Sequence, residues 1–99
     1  MDITYHGLNI ETTDAMKEYA QKKIEKLAGH INNIISVTVR FRVEKINHIV
    51  EFTINGDGAQ FIAEDQGPDM YAAIDLLERK LEKQIKKHKE KHMGKHHRK

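Results

Sequence analysis

Residues 37–58, VTVRFRVEKINHIVEFTINGDG, decide the architecture. Val37, Val39, Phe41 and Val43 alternate with Thr38, Arg40 and Arg42, and Val50, Phe52 and Ile54 alternate with Glu51 and Thr53. A period of two puts each set of side chains on its own face of a pleated strand, so both runs read as strands with one buried face. NGDG at 55–58 is a hairpin signal, because Asn, Asp and Gly accept the left-handed backbone that a tight turn requires. AQFIAEDQ, residues 59–66, supplies the next strand, with Phe61 and Ala63 inward.

Working outward, DITYHGLNIE (residues 2–11) reads as a short strand with Ile3 and Tyr5 on one face. TTDAMKEYAQKKIEKLAG (residues 12–29) reads as a helix that Thr12 or Thr13 caps and Gly29 ends. Its stripe is Met16, Ala20, Ile24 and Leu27, at spacings of four, four and three. After GPD at 67–69, Pro68 and Asp69 suit a helix entry, Asp69 at its positive end. From Met70 to about His92, Ile74, Leu77, Leu81, Ile85, His88 and His92 step by three or four. The order β-α-β-β-β-α predicts an α+β two-layer sandwich, a four-stranded sheet with both helices packed on one face. Double-stranded RNA-binding domains use the same order, which by itself says nothing of function. Residues 1–92 are expected to form a single domain and residues 93–99 a basic, flexible tail.

The 99 residues carry a formal net charge of +2, which conceals a sorting by sign. Residues 79–99 hold ten Lys or Arg against two Glu, or +8, and the first 78 residues hold seven basic against thirteen acidic residues, or −6. On a helical wheel Arg79, Lys80, Lys83, Lys86 and Lys87 fall opposite the apolar stripe of the last helix. Like charges three or four residues apart cost about 0.2–0.5 kcal/mol per pair on an isolated helix, and Glu82 offsets only part of that. A phosphate-rich partner would remove the repulsion and release counterions. The sorted charge therefore points to nucleic acid rather than to a merely solvated face.

Lys22, Lys23 and Lys26 gather beside Tyr19 on the first helix. An aromatic ring among lysines can stack on a base, but a core-edge ring with a wet hydroxyl is the stronger reading of Tyr19. Arg40 and Arg42 face the open side of the sheet, available either to a ligand or to Glu51 and Glu64 on neighbouring strands. His88 and His92 are four apart, yet HKEKH is not the zincin motif, and His88 lies on the apolar stripe. No metal site, cofactor or catalytic residue is expected. There is no P-loop, GxGxxG or GxSxG, and no cysteine. Asp69, Asp75 and Glu78 need do no more than complement the helix dipole. No apolar run reaches the ~20 residues of a membrane span, and MDITYHG lacks the order of a signal peptide, so a cytoplasmic protein is expected. The basic end lacks Trp, Phe and Leu to insert into a bilayer, which argues against membrane attachment.

VEKINH (residues 43–48) and DMYAAIDLLERKLEKQIKKHKEK (residues 69–91) resemble the bacterial ribosome hibernation promoting factor and ribosome-associated inhibitor A family, also called the sigma-54 modulation protein family. Its most specific part is Asp69, Met70, Tyr71, Ala73, Ile74 and Asp75, followed by Leu77, Lys80, Leu81, Gln84, Lys87, His88 and Lys89. The resemblance runs from Ile3 to Lys91 and implies the same β-α-β-β-β-α fold. It implies a protein that is not an enzyme and that binds the small ribosomal subunit, its RNA and its proteins, at the decoding region. Occupying that cleft blocks messenger and transfer RNA, inhibits translation and favours inactive paired ribosomes in stress or stationary phase, with a second small hibernation factor as a further partner. The basic end matches the short type in the family, expected to be a monomer off the ribosome, rather than the type with an acidic extension. Carried over by position, the RNA-binding residues are Lys22, Lys23, Lys26, Lys45, Arg79, Lys80, Lys83, Lys86, Lys87 and Lys89. The alternative is a general adaptor for double-stranded RNA, which would bind plain duplexes as well as ribosomes.

Overall fold

Alternating strands and striped helices settle into the expected two layers. The structure, a computed structural model, describes the backbone of residues 2–97 and the side chains of residues 2–90. The elements are β1 (Ile3–Gly7), α1 (Asp14–Ala28), β2 (Ile34–Glu44), β3 (Asn47–Gly56), β4 (Ala59–Gly67) and α2 (Met70–His97). The four strands form one sheet in the order β1-β2-β3-β4. β1 and β2 are parallel, so they need a crossover, and α1 provides it. The other pairs are antiparallel hairpins, with Arg40 opposite Glu51 and Glu51 opposite Glu64.

Capping chemistry sets the helix starts. Thr13, not Thr12, caps α1, its hydroxyl oxygen accepting from the Met16 N–H at 3.1 Å. Asp69 does the same for α2, accepting from the Ala72 N–H at 2.9 Å. α2 runs beyond the expected end at about His92, its backbone helical to His97. The expected tail at 93–99 falls outside the residues whose side chains are described.

The β3–β4 hairpin closes on Asp57 and Gly58, at φ 54° and 69°. Both residues of the turn are thus left-handed, the geometry that matches the twist of the flanking strands. Lys45, first of the two residues in the β2–β3 turn, is also left-handed, at φ 58°.

The core lies between the sheet and the helices. Val37, Val39, Phe41, Val50, Phe52 and Ile54 supply the sheet side, and Ile24, Leu27, Ile74, Leu77 and Leu81 the helical side, all essentially inaccessible to solvent. On the open face, Arg40 pairs with Glu51 at 3.4 Å and Arg42 with Glu64 and Glu44, both at 3.1 Å. Ile49 is also on that face yet buried, in register between Arg42 and Gln66. An arginine stem can shelter apolar surface while its head stays wet.

Polar groups join α2 to its two neighbours. Along β4, Lys80 Nζ donates to the Glu64 carbonyl at 2.7 Å and Gln84 Nε2 to the Ile62 carbonyl at 3.0 Å. These bonds occupy acceptors on a strand edge that would otherwise be open to another chain. Lys80 also meets Asp65 at 3.5 Å. It therefore lies on the flank facing β4, not opposite the apolar stripe as the wheel suggested.

On the other flank Glu78 is buried at 7% exposure, with Lys23 at 3.3 Å and Lys26 at 3.5 Å. A carboxylate in that position requires such partners, because removing a charge from water uncompensated costs several kcal/mol (about 3–5 when one partner of a buried pair is lost). Lys23 also reaches Asp75 at 3.5 Å, and the Tyr19 hydroxyl donates to Asp75 at 2.6 Å. Tyr71 packs edge-on against Tyr19 at 5.2 Å between centroids. The donated hydrogen bond to Asp75, then burial, hold the Tyr19 phenol above its ordinary 10.0. Burial pulls the Lys23 ammonium down, but Glu78, Tyr19 and Asp75 outweigh it and leave the group above 10.5.

Three tests follow from this packing. Leu81→Ala should cost about 2–5 kcal/mol in urea unfolding, the range for deleting a buried leucine. Gly58→Ala should cost about 1 kcal/mol through its positive φ alone, since nothing lies within 4 Å of a Cβ placed there, and Gly58→Asn less. Tyr19 and Lys23 both hold their proton more tightly in the folded chain. Their contribution is full below the unfolded values of 10.0 and 10.5 and is lost as pH rises through the raised folded ones. Melting temperature followed from about pH 9 to about pH 11 should fall more steeply in the wild type than in Tyr19→Phe.

Candidate functional site

Helix periodicity and two flanking attachments fix which side of α2 remains free. The apolar stripe holds the helix to the sheet, Lys80 and Gln84 tie one flank to β4, and Glu78 ties the other to α1. What remains outward is Arg79, Lys83, Lys86, Lys87 and Lys89, all exposed. Among the described residues none of these five is in an ion pair or a side-chain hydrogen bond, unlike Lys23 and Lys80. The result is a strip of cations paired with no carboxylate among the described residues, although Glu82 and Glu90 are exposed on the same helix.

The ten expected contact residues thus divide into groups. Arg79, Lys83, Lys86 and Lys89 come together along one groove between the end of α1 and α2, and Lys87 lies on the same helix. Lys22 is exposed on α1, without an ion pair among the described residues. Lys26 has an exposed side chain, 65% accessible, although it meets Glu78. Lys23 is turned inward to Glu78 and Asp75, and Lys80, though exposed, is tied to the Glu64 carbonyl and Asp65. Lys45 stands apart. It sits at the β2–β3 turn, and the β3–β4 turn at the opposite end of β3 is the one that touches His88.

His88 closes the core edge, as its place on the stripe implied. Its ring meets Phe61 edge-on at 5.3 Å, and Nε2 lies 3.0 Å from an Asp57 carboxylate oxygen. The side chains of His92, His96 and His97 lie outside the described residues. Among the described residues no group of three or more His, Cys, Asp or Glu side chains could hold a metal ion. Tyr19 is a core-edge ring whose hydroxyl is committed to Asp75. Arg40 and Arg42 are taken up by cross-strand carboxylates. Asp75 and Glu78 do more than complement a dipole: they are the receptors for α1's inner lysines. The available signal for this was position, since Glu78 directly follows stripe residue Leu77, and Lys23 and Lys26 directly precede Ile24 and Leu27. No helix among the described residues is long and apolar enough to cross a membrane.

The sequence and its two-layer sandwich both recur among known proteins. The sequence matches the family described as sigma 54 modulation protein / S30EA ribosomal protein over residues 3–93. It is 42% identical over 81 residues to a ribosome hibernation promoting factor of Azotobacter vinelandii, covering 82% of this chain and 76% of that one. The same-named protein of Escherichia coli K12 is 40% identical over 81 residues, covering 82% and 85%. Among solved structures, a ribosomal subunit interface protein from Coxiella burnetii superposes with a TM-score of 0.80 at 29% identity, covering 90% of this chain and 98% of that one. The N-terminal domain of Thermus thermophilus Protein Y gives 0.79 at 30% identity, covering 88% and 98%. The hibernation promoting factors and the subunit interface protein are, by name, ribosome-associated proteins and not enzymes. With the match spanning residues 3–93, the chain belongs to the sigma 54 modulation protein / S30EA ribosomal protein family.

Proposed function

We propose that the protein is a ribosome hibernation factor that binds the small subunit through the outward face of α2. The observation that carries this is the strip Arg79, Lys83, Lys86, Lys87 and Lys89, exposed and unneutralised while the inner lysines are matched to carboxylates. Cations so arranged repel one another until a phosphate lattice replaces their counterions, and such an exchange supplies affinity without reading sequence. The names of the relatives, ribosome hibernation promoting factors and a ribosomal subunit interface protein, support the choice of the ribosome as that lattice.

In this reading the two-layer domain enters the decoding region as a preformed wedge. The sheet backs α2, so little ordering cost is added on binding. Lys22 and Lys26 extend the phosphate contacts from α1, and Lys45 reaches a separate point from the far hairpin. Lys23 and Lys80 act through the fold, holding the helix that carries the others. Occupying the cleft excludes messenger and transfer RNA by volume, so the protein silences translation without chemistry. Stabilisation of paired, idle ribosomes, with a second small factor as a partner, belongs to the same proposal, as do a cytoplasmic location and a monomeric state off the ribosome.

Reversing Lys83, Lys86 and Lys87 to Glu should abolish co-sedimentation with small subunits in sucrose gradients while the far-UV circular dichroism is unchanged. Retained co-sedimentation would place the contact elsewhere. A plain RNA duplex added in excess should leave the wild-type complex largely intact; efficient competition would favour a general duplex-binding adaptor.

A further inference from the structure

The end of α1 and the basic half of α2 do not close on each other. Between them lies a groove of about 480 Å³, within the range of sites that enclose small ligands. Leu27 and Ile85 lie at its base, only 1% and 3% exposed, so the apolar surface it offers comes mainly from the aliphatic stems of the side chains around it. Arg79, Lys83, Lys86 and Lys89 line it with their cations, and His30 and Glu82 complete it.

Phosphate binding accounts for the cations but not for the rest. A phosphate gains nothing from an apolar floor and is repelled by a carboxylate. Glu82 is exposed and makes no ion pair or hydrogen bond among the described residues, although Lys86 follows it by one helical turn. His30 is likewise exposed, and its ring has no partner among the described residues. An aromatic plane, a hydrogen-bond acceptor and an apolar base surrounded by cations match a nucleotide with its base inserted and its phosphates outside. Single-stranded RNA is recognised in this way, by stacking and by contacts to the exposed base edge.

We propose that the groove receives one unstacked nucleobase of a single-stranded RNA segment, a base bearing an exocyclic amine. Glu82 accepts the amine N–H, the His30 imidazole lies against the ring, and the flanking phosphates rest on Arg79, Lys83, Lys86 and Lys89. This rests on the RNA-binding reading above and goes beyond it by naming the kind of base and the residues that read it. Cytosine presents an amine donor where uracil presents a carbonyl acceptor, and a carboxylate distinguishes them.

The test uses the full chain and 5′-labelled hexanucleotides followed by fluorescence anisotropy. Hexacytidine should bind about tenfold more tightly than hexauridine. A fully abasic hexanucleotide, which keeps the phosphates and lacks every base, should bind no more tightly than hexauridine. Glu82→Gln should bring cytidine and uridine to equal affinity, and His30→Ala should weaken both by about tenfold. Both side chains are exposed and unbonded among the described residues, and circular dichroism will confirm that the variants are folded. Equal affinity for the two wild-type hexanucleotides, or a preference that survives Glu82→Gln, would overturn the base site. Wild-type chain that still co-sediments with small subunits in that case leaves the ribosome reading standing, whereas failure to co-sediment removes the latter directly.

Discussion

The attachment of α2 to the rest of the molecule governs what the protein can offer a partner. Ile74, Leu77, Leu81 and Ile85 are buried against the sheet and α1. Apolar burial of that kind contributes on the order of 1.5–3 kcal/mol per side chain. It fixes the helix in rotation as well as in place, because turning it by one residue would move leucines outward and lysines in. The outward lysines are therefore held together not by attraction but by the leucines behind them. Their mutual repulsion, a few tenths of a kcal/mol per pair, is small beside the burial that opposes it.

A second constraint decides which cations remain free. Buried Glu78 draws Lys23 and Lys26, and Asp65 with the Glu64 carbonyl draws Lys80. These contacts sit on the two flanks of α2, where the helix meets α1 and β4. They strengthen the seams and remove charge from them. Among the described residues the charges left on the crest of the helix have no such partners, so the electrostatic surface is concentrated rather than diffuse. Arg40 and Arg42 on the opposite side of the sheet are matched by carboxylates as well. One face of the molecule is thus left as the strongly cationic one.

Most of the fold was legible because periodicity is local. The alternation at Val37, Val39 and Phe41 and the stripe at Ile24, Leu27, Leu77 and Leu81 name the buried faces without knowledge of neighbours. Details that depend on neighbours were not. Thr12 and Thr13 both carry a hydroxyl, and only backbone geometry selects Thr13. Ile49 breaks the alternation, its burial coming from the other face of the sheet. A helical wheel likewise gives an angle about one axis but not what stands at that angle. Lys80 and Lys83 look alike on the wheel, yet β4 stands beside one and solvent beside the other. The groove at His30 and Glu82 needs two helices far apart in sequence, so no local pattern could announce it.

The division between free and committed cations is best tested by the salt dependence of binding to purified small subunits. Each lysine that neutralises a phosphate contributes about 0.7–0.9 to the slope of log affinity against log salt. Single substitutions to Ala at Lys83, Lys86, Lys87 and Lys89 should each reduce the slope by roughly that amount, while Lys23→Ala and Lys80→Ala leave it unchanged. A slope that falls equally for Lys23 and Lys80, or does not fall for the outward four, would contradict the partition of charge on which this reading of the fold rests.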